Sequence, residues 1–496
     1  MKKSSKKQST SKDKAVAHYE NQGVEFPVGE ESYTKKMQEE LKNDRAHFDT
    51  LRDIAMTEAQ GKDYYGIKMG NDTWIFPVSQ KHLKELYALD VKGGKMEAAP
   101  FKQAVGYAPL GMPFMPSNEN WEKLRKHLGA IFSPDFMKAY FGYFNESMKE
   151  LSGNWKAANG KSVNVTEDIM KMSYNAAVLA LTGNRLDVDV PYKDLHGGAT
   201  LHIRDVNVKT LQNFAEHAAT DEFIEDEEYR LKSNSMKLNN LNENLGTLGG
   251  ALTGVVTARA GELGDGAESK FTIVDAAYGL LTQGIINSVD EAVQHGWAIL
   301  NGIHNNCGKL LSVTLYYLLK NKKVFQKVRE EIQSKLFKGK NVSLSNIEKY
   351  ITRESLKELE YVSMVVQEAL RLSSPIYGKP MRATENITLS DGFKISKDTI
   401  VYPNNGIIGV SENIWEKPGE FIPDRFDEES KYFKQPDGSK REEIANLGFG
   451  AGQRKCMGNN FSMYFVQMGL VYLVHLFDIE LVKEPSKGFF YWLNNK

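Results

Sequence analysis

The chain has 496 residues, 41% hydrophobic and 26% charged, an ordinary globular balance with ample material for a core. Its 63 Lys and Arg against 64 Asp and Glu leave a formal net charge of -1, which argues against nucleic acid or an acidic polymer as partner. Two cysteines, Cys307 and Cys456, cannot make a disulfide framework, so the easy reading is a reducing compartment in which each thiol needs its own explanation.

Residues 1–34 begin basic and Ser-rich (MKKSSKKQSTSKDK), lack the apolar core of a signal peptide, and read as a disordered tail. No window reaches roughly 18 uninterrupted apolar residues, so no spanning helix is expected and the reading is a soluble, cytoplasmic protein. Residues 35–60 look helical. Tyr64 to Gly70 and Thr73 to Val78 are β-rich runs around Asn71-Asp72, a hairpin turn pair. Lys81 to Leu89 is a short amphipathic helix. A Gly- and Pro-rich loop over 98–118 ends at Ser117, the expected N-cap of a helix from Asn120 to Phe132.

From there to about residue 372 the pattern is helical, with polar, Asn- and Gly-rich interruptions at 191–208 and 233–270. The longest apolar-periodic stretch runs from Ile286 to Leu319, about nine turns. Short β-prone runs return at Ile387 to Leu389, Phe393 to Ile395 and Thr399 to Val401. A loop-rich segment then leads to an apolar helix at 457–477 and closing strand-like pieces. There is no internal repeat and no linker. The expectation is one mainly α domain with small β-sheets over 35–496, monomeric.

Chemistry concentrates in Phe449-Gly450-Ala451-Gly452-Gln453-Arg454-Lys455-Cys456-Met457-Gly458. One cysteine closes a glycine-rich loop and opens an apolar helix. Glycines let the backbone approach a large flat partner, while backbone N–H groups and a helix N-terminus favour a thiolate. Glu368 and Arg371 stand three apart on a helix face, and Arg425 lies in Phe421-Ile422-Pro423-Asp424-Arg425-Phe426.

Together these residues resemble the cytochrome P-450 family, in which Phe, Gly, Arg, Cys and Gly recur in this order around the iron ligand. The resemblance spans about residue 60 to 490. It implies haem b, with Cys456 as axial thiolate, Phe449 beside the sulfur, Gly458 just after it and Arg454 on a propionate. It also implies that Glu368, Arg371 and Arg425 form a structural triad locking the thiolate loop. Trp121, Arg125 and Arg382 match the family's other propionate partners.

The central helix departs from the family, whose monooxygenases carry an acid–Thr pair there. An ungapped count places Asn306 at the acid and Cys307 at the Thr. A slipped register, with Gly302 as the family glycine, places His304 and Asn305 there instead. His304, Asn305 and Asn306 are poor helix formers interrupting an apolar helix, a local violation typical of functional sites. Asn306-Cys307-Gly308 resembles prostacyclin synthase, and bile-acid steroid hydroxylases share the Asn.

Two activities follow. One is monooxygenation of a lipophilic molecule (lipid, steroid or terpene) with O2 and electrons from a separate reductase, since no flavin or iron–sulfur segment exists in the chain. Lys123, Lys126 and Lys455 then offer a basic docking face. The other is reductase-independent rearrangement of a fatty-acid hydroperoxide or endoperoxide; a haem-binding protein without turnover is the third possibility. Pocket-lining candidates are the 101–117 loop, the 200–245 region, Ile303, His304, Ile376 and Tyr377. His202, Arg204 and His217 are candidate partners for a carboxylate.

Overall fold

The computed structural model describes residues 11–26, 62–69, 72–89, 94–98, 111–115, 117–194, 196–218, 236–376 and 378–482. The expected helix at 35–60, most of the 98–118 loop, Tyr377 and the closing strand-like pieces lie outside them.

In chain order the elements are helix α1 (Ser11–Glu20), strands β1 (Tyr64–Met69) and β2 (Asp72–Pro77), α2 (Gln80–Leu89), β3 (Met96–Ala98), α3 (Glu119–Leu128), α4 (Pro134–Ala158) and α5 (Val165–Thr182). Next come β4 (Asp189–Asp194), β5 (Gly197–His202), α6 (Ile203–Ala218), α7 (Met236–Gly264), α8 (Ile273–Thr282), α9 (Val289–Asn301), α10 (Gly308–Lys320), α11 (Lys322–Glu331) and α12 (Glu360–Leu372). Strands β6 (Met381–Ala383), β7 (Ile387–Thr388), β8 (Lys394–Ile395) and β9 (Ile400–Val401) follow, and α13 (Asn459–Leu476) closes the order. Helix dominates, with three small sheets among the described residues, as expected.

The main sheet, in the order β1-β2-β9-β6-β3, joins the two ends of the chain: β2 runs parallel to β9, and β3 antiparallel to β6. The expected β1–β2 hairpin forms, with Tyr64 opposite Pro77, but Asp72, read as a turn residue, is instead the first residue of β2 and pairs with Met69. The helical core is one apolar cluster built from α3, α4, α5, α9, α10, α12 and α13. Burial of its Leu, Ile, Val and Phe side chains, each contributing roughly 1.5–3 kcal/mol, supplies the main driving force.

Three expectations need correction. Residues 11–26 do not behave as a tail. Val16, Tyr19 and Val24 are buried, and Tyr19 hydroxyl lies 2.6 Å from Thr399 Oγ1 and accepts from Ser396 N–H. Those apolar residues, hidden in a polar segment, have a sheet to pack on. The 233–270 interruption is instead mostly the long helix α7, whose Leu248, Leu252 and Val256 are buried in the core. Tertiary packing overrides its glycines and asparagines. The other interruption, 191–208, is the hairpin β4–β5 running directly into α6. No helix among the described residues is long and apolar enough to cross a membrane.

Candidate active site

A cavity of about 550 Å³ lies where α3, the central helix, α13 and the 447–458 loop meet. Its cysteine-bearing wall is built by close backbone approach. Gly450 and Gly452 take positive φ of 68° and 65°, a conformation that favours glycine. A Cβ on Gly448 would stand 2.3 Å from Leu370 Cγ, so the loop rests directly on α12. Cys456 N–H donates to Phe449 carbonyl at 2.8 Å, which closes the loop. Cys456 lines the cavity and its residue surface is exposed. Burial of the thiol raises its pKa, against the opposing pull of the Gly458 N–H and the Arg125 charge.

Behind this wall Glu368, Arg371 and Arg425 are buried together. Glu368 Oε1 accepts from Arg371 at 2.7 Å, from Arg425 at 3.1 Å and from Ile422 N–H at 2.8 Å. The guanidinium groups spend further donors on loop carbonyls: Arg371 on Pro418 and Glu420, Arg425 on Lys417. Burial lowers the Arg425 pKa, with Glu368 acting the other way. Asn405 adds a link that sequence reasoning missed. Its Nδ2 donates to Leu370 carbonyl at 3.2 Å and its Oδ1 accepts from Leu447 N–H at 2.7 Å. No local pattern marks an asparagine whose two partners lie in distant segments.

One side of the cavity gathers cations around an indole. Trp121 is buried, with Arg454 Cζ 4.2 Å and Arg125 Cζ 5.4 Å from its ring centroid. Arg454 donates to Ser117 Oγ and Met115 carbonyl, each at 2.7 Å, and Arg125 donates to Lys455 carbonyl. The helix bearing Trp121 is capped by Asn118, not Ser117, through Trp121 N–H at 3.0 Å. Ser117, one residue short of the cap, holds Arg454 instead. Arg382 does not line the cavity; it donates to Asp398 carbonyl at 3.3 Å and stands 3.9 Å from Asp72.

The opposite wall is the central helix. Between α9 and α10 the backbone opens into a π-helical segment, Gly302–Cys307, over the poor helix formers noted above. Its carbonyls find side chains: Ser173 Oγ donates to His304 carbonyl at 3.0 Å. Gly308 then packs so tightly on α5 that a Cβ would lie 2.5 Å from Ser173 Oγ.

This segment sorts the four distal candidates. Asn306 and Cys307 line the cavity, together with Ile303; His304 and Asn305 do not. His304 turns toward α5, its Nδ1 3.2 Å from Ser173 Oγ and its ring against Tyr174. Burial first, then the Lys309 and Arg204 charges, push its pKa down to about 3, so the ring is neutral. Asn305 donates to Asn301 Oδ1 at 3.0 Å, a stripe continued by Asn207 of α6. Asn306 has no side-chain hydrogen bond among the described residues. Cys307 Sγ lies 3.4 Å from Ser462 Oγ, and burial pushes its pKa up to about 12.

Ile376, Met112 and Pro113 line the cavity as expected, whereas no described residue of 200–245 does. His202 instead pairs with Asp187 at 2.8 Å and Arg204 with Asp205 at 2.9 Å; the His217 side chain lies outside the described residues. His295, a further cavity residue, went unnoticed in the sequence because it sits in an unbroken amphipathic helix.

The Cytochrome P450 family model matches residues 289–490. Cytochrome P450 71B5 of Arabidopsis thaliana is 34% identical over 177 residues, 36% of this chain and 33% of its own. Cytochrome P450 71D94 of Mentha gracilis is 28% identical over 376 residues, 74% of this chain and 69% of its own. Strychnine-11-hydroxylase of Strychnos nux-vomica is 30% identical over 183 residues, 37% of this chain and 33% of its own. The chain thus spans about a third of the length of several relatives it matches and about two thirds of the mint one.

A thiol-bearing loop clamped to a mainly helical domain is similar to the arrangement of haem-thiolate proteins. Over residues 289–490 the chain matches the cytochrome P450 family. That match implies a haem iron cofactor, and the cavity fits one: a thiol on one wall, two guanidinium groups and an indole on one side, and apolar residues such as Leu128, Ile131, Phe132 and Phe461 elsewhere.

Proposed function

We propose that the chain is a haem-thiolate monooxygenase acting on a lipophilic small molecule, with haem b held through Cys456. The observation that carries this reading is the placement of Cys456 on the wall of a largely apolar cavity beside Trp121, Arg125 and Arg454. When bound, the haem supplies the centre at which O2 is reduced, the thiolate favouring O–O cleavage. Arg125, Arg454 and the Trp121 indole then serve the propionates, where charge-assisted donors suit buried carboxylates. Phe449 and Gly458 flank the sulfur, and the Glu368–Arg371–Arg425 triad fixes the loop that presents it. Arg382 donates to Asp398 carbonyl and is not among the described residues lining the cavity.

On the distal wall Asn306 and Cys307 occupy the positions of the family's acid and alcohol. An amide orients a water or a peroxide but releases no proton near neutral pH. Cys307, with its raised pKa, stays a thiol. Electrons come from a separate redox partner. Lys123, Lys126 and Lys455 are all exposed, and the Arg125–Lys455 hydrogen bond keeps them on one side of the molecule, suited to an acidic partner surface.

A second reading, rearrangement of a lipid hydroperoxide without electrons, is favoured by one observation: no described residue lining the cavity is a carboxylic acid. One experiment decides. Purified protein that gives the red-shifted Soret band of a thiolate-ligated ferrous–CO complex is mixed with a lipid hydroperoxide, or with NADPH, a reductase and O2. Turnover only in the second mixture supports the monooxygenase; fast turnover in the first supports the isomerase. Absence of the shifted band, or its persistence in C456A, overturns the haem-thiolate reading.

A further inference from the structure

Asn305 and Asn306 are consecutive and carry the same carboxamide, yet Asn306 lines the cavity and Asn305 does not. A relay of amides outside the cavity lining separates them. Asn305 Nδ2 donates to Asn301 Oδ1 at 3.0 Å, and Asn207 Nδ2 of α6 donates to the same oxygen, also at 3.0 Å. Asn301 Nδ2 in turn donates to the Trp297 carbonyl at 3.0 Å, one turn earlier in α9. Two donors at the oxygen and a carbonyl at the nitrogen leave one consistent orientation for the Asn301 amide, since a flip would set donor against donor.

The relay is anchored where the backbone changes. Asn301 is the last residue of α9, and the π-helical segment Gly302–Cys307 starts at the next position. A π-helical turn bonds i to i+5, so where it sits along the helix decides which side chains reach the wall. Asn207 is 2% exposed, so its amide has no solvent to turn to if the contact breaks. From α5, Ser173 Oγ donates to the His304 carbonyl at 3.0 Å and lies 3.2 Å from its Nδ1. His304 is thus held to α5 and Asn305 to α6, and the next residue is the one that meets the cavity.

We propose that Asn301 is a positioning residue of the distal wall. By accepting from Asn305 and Asn207 together, it fixes the place of the π-helical turn and so directs Asn306 into the cavity. Helix α6 gives no described residue to the lining and acts on the site through this one oxygen. Loss of the oxygen releases Asn305, lets the turn shift, and takes Asn306 off the wall.

The consequence for chemical access needs no haem and is read by labelling. In N306C, methyl methanethiosulfonate modifies the new thiol from the cavity, and peptide masses give the rate at that position. Adding N301L is expected to slow this labelling by about tenfold, as two amide hydrogen bonds are lost. N301D keeps an oxygen for both amides and should label at the N306C rate. A merely structural loosening would speed the reaction instead, and in both variants alike. If N301L fails to fold, N207A removes only the α6 donor and should slow labelling by about threefold.

The consequence for a bound gas rests on the reading of this cavity as a haem chamber. There the infrared stretch of CO on the ferrous protein should move in N301L to the frequency found in N306L and stay at the wild-type value in N301D. Unchanged or faster labelling of N306C in N301L overturns the positioning role, as does an N301D variant as altered as N301L. A protein lacking the thiolate–CO band fails the haem reading alone, and labelling still decides the role of Asn301.

Discussion

Glu368, Arg371 and Arg425 on the thiol side, and His295 and His304 on the central helix, are all polar groups withdrawn from water. They differ in how many partners they have. Within the triad each charged group meets an opposite charge, and both arginines reach additional loop carbonyls. On the central helix His304 keeps an Nε2 without a hydrogen-bond partner, and His295 Nε2 has only the Glu291 carboxylate, 3.7 Å away. A fully matched network costs little to hold and has one arrangement, which suits a part that must present a ligand rigidly. Unmatched groups carry a desolvation cost that a bound molecule can relieve, which suits a surface that receives something.

The sharpest way to break this comparison is to unmatch the matched side. E368Q leaves two buried guanidinium groups without their carboxylate and should cost about 3–5 kcal/mol, seen as a large drop in thermal stability and loss of haem retention. N405A, which cuts the link between Leu370 and Leu447, should cost about 1–3 kcal/mol in a denaturant melt and loosen the thiol loop. S173A removes the donor to the His304 carbonyl in the π-helical segment and should cost about 1 kcal/mol. If S173A proves as damaging as E368Q, the two walls are not built differently.

A pH series sharpens the contrast. His304 has a folded pKa near 3 against an ordinary 6.5, so the unfolded chain takes up its proton first. Its contribution is fully present above pH 6.5 and is lost as the pH falls toward 3. H304F should flatten the stability profile across that window, as read by urea midpoints at successive pH values. The smallest effect is expected far from the cavity, where Y19F removes the hydroxyl bonded to Thr399 and costs about 0.5–1.5 kcal/mol.

Legibility from sequence followed the range of the interactions. The hairpin at 64–77 was readable because its alternation is local, although Asp72, read as a turn residue, pairs with Met69. The Cys456 loop and the Glu368–Arg371 pair were readable because their spacing is short and specific. The helix α7 was hidden by six glycines in Met236–Gly264, because what holds it is a buried stripe against neighbouring elements. Which of His304 to Cys307 faces the cavity was left open in sequence, since a π-helical turn changes the face that each residue presents. Arg382 was assigned by position after a helix, yet its strand turns it toward Asp72 and Asp398. Asn405, Ser117 and Ser173 act through partners dozens to hundreds of positions away, and nothing beside them in the chain announces it.

The main sheet has a consequence for how the protein is made. Tyr19 meets Thr399 across 380 positions, and β2 and β3 wait for β9 and β6. A ribosome must deliver about four fifths of the chain before this lobe has its second half, while hairpin β4–β5 and helices α4 to α10 can assemble soon after they emerge. Until then the buried faces of β1, β2 and α2 are left uncovered. The newborn protein is therefore most dependent on chaperones at its oldest end, and a stalled or truncated product would aggregate through that end first.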